Sequence, residues 1–103
     1  MKTIETRVQS GMQKLDERLP GWPQKIDLER LDMCSNTDGI LEQLFGGYYA
    51  GLKALGLRFA GGWDHGFDIE PDSDGDLEAW AQLTEAWKTA IQRKRAKEVP
   101  GTK

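Results

Sequence analysis

Apolar residues recur at spacings of three and four in three separate stretches, a period that commits the chain to helices packed on one another. Ile4, Val8, Met12, Leu15 and Leu19 predict an amphipathic helix over 3–19. Pro20-Gly21 ends it, because Pro20 disfavours helical geometry at Leu19. Ile40, Leu41, Leu44, Phe45, Tyr48, Leu52 and Leu55 predict a second helix over 39–56, with N-caps available in Ser35–Asp38 and Gly56 as the C-cap. Only Glu42 and Lys53 carry charge there, so this helix is expected at the centre. Leu77, Trp80, Thr84, Trp87 and Ile91 predict a third over 76–97, with Asp74 or Asp76 at its start and Arg93, Lys94, Arg95 and Lys97 matching the dipole at its end. The expected fold is mainly α: one domain over 1–97, a small bundle of about three helices around the central glycine-rich one, then a flexible tail, 98–103.

The connections leave alternatives open. Over 22–35, Ile26, Leu28, Leu31 and Met33 fit a short extended segment or a single helical turn capped by Asp27. Over 57–69, Leu57–Ala60 and Gly66–Ile69 fit a β-hairpin around Gly61–His65, or a short helical turn.

Length and composition exclude several functions. With 103 residues the chain builds one modest core. A net charge of −3 argues against a dedicated nucleic-acid binder. One cysteine makes no internal disulfide and no multi-cysteine zinc site, and one histidine makes no multi-histidine metal site. No apolar run is long enough to span a membrane. The opening residues MKTIETRVQS lack the apolar run of a secretory leader, so a cytoplasmic setting is expected.

Four local patterns carry possible chemistry. Glu70, Asp72, Asp74, Asp76 and Glu78 resemble the start of an EF-hand loop, with Gly75 at the sharp turn. Glu70 is long for the first position, and Ala81 stands where a bidentate carboxylate belongs, so the plainer reading is an acidic turn feeding a helix N-terminus. His65, beside Asp64 and Asp68, has the makings of a general base, but no nucleophile accompanies it, and Cys34 has no activating partner. No catalytic residue and no cofactor is therefore expected. Gly47, Ala50, Gly51 and Ala54 make a small-residue groove for close approach by another helix, within the molecule or across a homodimer or partner seam. Trp63 and Phe67, in a glycine-rich acidic stretch, are candidate partner contacts, with core packing as the plainer reading.

A longer pattern runs through the chain: Leu15-Asp16-Glu17, Pro20-Gly21-Trp22, Ile26-Asp27-Leu28 with Leu31-Asp32-Met33, then Ile40-Leu41 through Gly56-Leu57, Gly66-Phe67-Asp68 and Leu83-Thr84 with Ala86-Trp87. Over most of residues 11–95 it resembles a group of small proteins of actinobacterial phages and their hosts' genomes. The group has no assigned activity, so the resemblance transfers no functional residue. It implies the cytoplasm of an infected or lysogenised actinobacterium. The expectation is a non-enzymatic phage or prophage accessory factor that binds a host or phage protein, with Trp63, Phe67, Gly47 and Gly51 as candidate contacts. The alternative is a calcium-responsive domain using residues 70–78.

Overall fold

A computed structural model describes residues 3–35, 37–58, 61–69 and 77–98. Five helices are found among them, and no strand: α1 (Ile4–Arg18), α2 (Ile40–Phe45), α3 (Tyr48–Ala54), α4 (Gly61–Asp64) and α5 (Leu77–Glu98). The mainly helical bundle agrees with the periodicity. Of the tail expected over 98–103, Glu98 is the last residue of α5, and 99–103 lie outside the described residues.

α1 starts at a Thr3 cap, whose hydroxyl accepts the Thr6 N–H at 3.1 Å. It buries Arg7, Val8, Gly11 and Leu15. Gly21 follows in the left-handed region at φ +87°, and Trp22–Lys25 form one 3-10 turn. The next segment takes the turn form rather than the extended one: the Asp27 carboxylate accepts from the Glu29 N–H at 3.1 Å and the Arg30 N–H at 3.4 Å. Leu31 and Met33 are thereby turned inward, and both are buried.

The helix expected over 39–56 is two helices. Gly46 stops α2 at φ +87° and donates its N–H to Glu42 O at 3.0 Å. Gly47 is extended, and α3 begins after it. The two short helices fold against each other at Gly51, where a Cβ would sit 2.7 Å from Leu41 Cβ. The small-residue position at Gly51 thus serves packing inside the molecule. A Cβ on Gly47 would meet nothing within 4 Å, and this glycine belongs to the turn. At the far end, Gly56 at φ +74° donates to Lys53 O and Leu57 to Leu52 O, closing α3 with the paired hydrogen bonds of a Schellman cap.

The stretch 61–69 takes the helical-turn alternative, as α4 followed by a turn at Gly66. This brings Phe67 and Ile69 into the core.

The core centres on three rings. Trp22 and Trp87 meet edge to face at 6.0 Å, and Phe67 stacks on Trp87 at 5.4 Å. The Trp87 indole donates to Gly66 O at 2.5 Å, and the Trp22 indole to Asp16 at 2.8 Å. Both tryptophans are fully buried with their N–H groups satisfied.

Candidate functional site

α1 and α5 run in the same direction. Ile4 and Glu5 lie beside Glu78–Glu85 at one end, and Asp16 pairs with Lys94 at 3.0 Å at the other. Between the helices runs an open groove of about 980 Å³, within the usual size of binding clefts. Val8, Met12, Ala86 and Ala90 give it an apolar lining; Glu5 and Asp16 stand on the α1 side and Arg93, Lys94 and Lys97 on the α5 side.

The basic cluster at the end of α5 divides by task. Arg95 donates to Pro23 O at 2.9 and 2.7 Å and to Ile26 O at 2.6 Å, so it ties α5 to the 3-10 turn. Lys94 is held by Asp16. Arg93 and Lys97 are exposed on the groove rim.

Across α1, the turn after α4 presses on the helix backbone. A Cβ on Gly66 would meet Val8 Cα at 3.0 Å, and one on Gly11 would meet the Trp87 ring at 3.0 Å. Here Phe67 is 2% exposed against Trp87, so the structure gives it to the core rather than to a surface. Trp63 is half-buried, with its ring centroid 5.4 Å from the Arg7 guanidinium carbon. Arg7 is only 4% exposed, although it is charged. Its Nε and Nη1, and the Trp63 indole nitrogen, are buried without a hydrogen-bond partner among the described residues.

His65 and Asp68 are engaged locally. His65 Nδ1 lies 2.9 Å from Gly61 O. Asp68 accepts the Ile69 N–H at 2.8 Å and the Tyr48 hydroxyl at 3.4 Å. Burial first, and then the Asp68 charge, hold the Tyr48 hydroxyl above the ordinary phenol range, so it stays a donor. Cys34 is exposed.

Four of the residues of the candidate calcium loop, Glu70, Asp72, Asp74 and Asp76, lie outside the described residues. Glu78 stands exposed in the first turn of α5, accepting from Gln82 at 3.4 Å. Among the described residues, no three His, Cys, Asp or Glu are grouped to hold a metal ion. No helix of the described residues is long and apolar enough to cross a membrane.

The sequence pattern missed Arg7. Ile4, Arg7, Val8, Gly11 and Leu15 follow spacings of three, one, three and four, which puts Arg7 and Gly11 on the inward stripe. That spacing is the available signal; the habit of placing charge outward conceals it.

Compared with known protein families, curated proteins and solved structures, the chain matches none.

Proposed function

We propose that this protein is a non-enzymatic interaction factor whose docking face is the groove between α1 and α5. Its occupant is an amphipathic helix of a partner protein, apolar toward the groove and acidic toward α5. The observation that carries this reading is the groove itself: an apolar lining between two parallel helices, with Arg93 and Lys97 exposed along one rim. Helix-in-groove recognition needs that combination of apolar seat and charged edge. Exposed rim cations steer an acidic partner and set its orientation.

The resemblance over residues 11–95 supports a phage or prophage origin. The partner is then a host or phage protein in the cytoplasm of an infected or lysogenised actinobacterium.

A photo-crosslinking residue at Thr89, in the groove, tests this against one at Gln24, an exposed residue of the 3-10 turn. In an actinobacterial lysate, Thr89 is expected to capture one protein that Gln24 does not. The crosslinked segment should map to an acidic amphipathic helix, and Ala90→Arg should abolish capture while the protein remains folded. Capture of a second copy of this chain, equal capture from both positions, or none at all overturns the reading.

A further inference from the structure

Arg7 is a permanent cation, yet only 4% of it remains exposed to solvent. The Trp63 ring lies against its guanidinium, which answers the face of the cation but not its N–H edges. Arg7 Nε and Nη1 and the Trp63 indole nitrogen are three buried donors without partners among the described residues, and they belong to two side chains packed against each other. Buried donors are nearly always paired, and a buried charge is strongly disfavoured unless an opposite charge meets it. A water molecule supplies acceptors but no charge. An anion supplies both.

We propose that Arg7 and Trp63 form a binding site for a singly charged carboxylate. The guanidinium provides the charge and one donor edge, and the indole N–H of the ring packed against it provides a further donor. One cation matches one negative charge, whereas a phosphate dianion would keep an unneutralised charge in a dry place. The planar, donor-rich guanidinium also suits a planar carboxylate. The site stands on the α4 side of α1 and is independent of the groove reading: it remains if no helix docks between α1 and α5.

The test follows the indole N–H resonance of Trp63 in the intact protein during titration with acetate, N-acetylglycine and inorganic phosphate, each against sodium chloride at equal ionic strength. Acetate is expected to shift the resonance saturably and to raise the Tm, because a ligand of the native state stabilises it. Arg7→Met, which replaces the cation by an apolar chain of similar length, should lose both responses. Trp63→Phe keeps a ring over Arg7 and should weaken acetate about tenfold, the loss of one charge-assisted hydrogen bond, read from the Tm response. That variant preserves the test if Arg7→Met fails to fold. Tighter N-acetylglycine than acetate identifies a peptide C-terminus as the source of the carboxylate; equal affinity identifies a free small acid. No saturable shift, the same shift with chloride, the same response in Arg7→Met, or preference for phosphate overturns the proposal.

Discussion

Gly11 and Trp87 touch where α1 lies on α5: a Cβ at Gly11 would sit 3.0 Å from the Trp87 ring, 3.1 Å from Phe67, and against the carbonyl oxygen of His65. Two opposing effects act on Gly11→Ala. Helix propensity favours alanine by about 1 kcal/mol. Overpacking costs roughly 1–3 kcal/mol, and the obstacle here is backbone, which yields poorly. Packing wins, so the variant is expected to unfold at lower urea than the parent protein. An unchanged or higher midpoint would refute the close approach.

The break between α2 and α3 makes a paired prediction. Gly46 is left-handed, so Gly46→Ala should destabilise by about 1–2 kcal/mol. Gly47 is extended with open space around it, so Gly47→Ala should be neutral or stabilising by up to about 1 kcal/mol. A continuous helix would make both substitutions stabilising, and equilibrium denaturation of the two variants separates the cases.

Thr84 joins distant segments. Its buried hydroxyl accepts the Met33 N–H at 2.9 Å and donates to Trp80 O at 2.9 Å. Thr84→Val keeps the shape and orphans the Met33 N–H, at roughly 1–3 kcal/mol. Thr84→Ser should retain most of the stability. Hydrogen exchange at Met33 offers the direct readout: faster in Val, little changed in Ser.

Arg95 binds two carbonyls of the 3-10 segment through its planar fork, which lysine cannot reproduce. Arg95→Lys is expected to lose about 1.5–3 kcal/mol despite conserving charge. Lys97→Ala, on the exposed rim, should stay within about 0.5 kcal/mol of the parent. Thermal melts followed by circular dichroism distinguish the two.

Burial raises the Glu42 carboxyl above its ordinary value of 4.5, while a hydrogen bond from its own backbone N–H pulls it down by less. The folded state therefore holds this proton more tightly than the unfolded state. The resulting stability is complete below the unfolded value and is lost as pH rises through the folded one. Glu42→Gln removes this dependence, so between pH 4.5 and neutrality the parent should lose stability relative to the variant. Urea midpoints measured across that range test the sign.

The outer helices are legible in the sequence because their signals are local. Ile4–Leu19 and Leu77–Ile91 keep a helical period over several turns, and Pro20-Gly21 punctuates the first. The observed ends, Ile4–Arg18 and Leu77–Glu98, fall within a residue of those expected. The middle is legible only in part. As local signals, Gly46-Gly47 are weak points inside one helix, whereas in the fold they make the turn on which α2 and α3 close together. Nothing in the local pattern decides this, because the compensating contact, Leu41 on Gly51, is tertiary.

The candidate residues divide in the same way. That Trp87 belongs to the core is written in its spacing from Trp80 and Ile91. That Phe67 joins it depends on the turn at Gly66, which lays the loop across α1. By itself, the sequence determined the helical class, the two long helices and the aromatic load, since periodicity and breakers act between near neighbours. Only the tertiary structure decided that Arg7 lies buried beneath Trp63 and that Arg95 is a strut, leaving Arg93 and Lys97 for a groove. Helical position turns Arg7 inward, but it does not encode which distant group a long charged side chain meets, the Trp63 ring for Arg7 and the Pro23 and Ile26 carbonyls for Arg95.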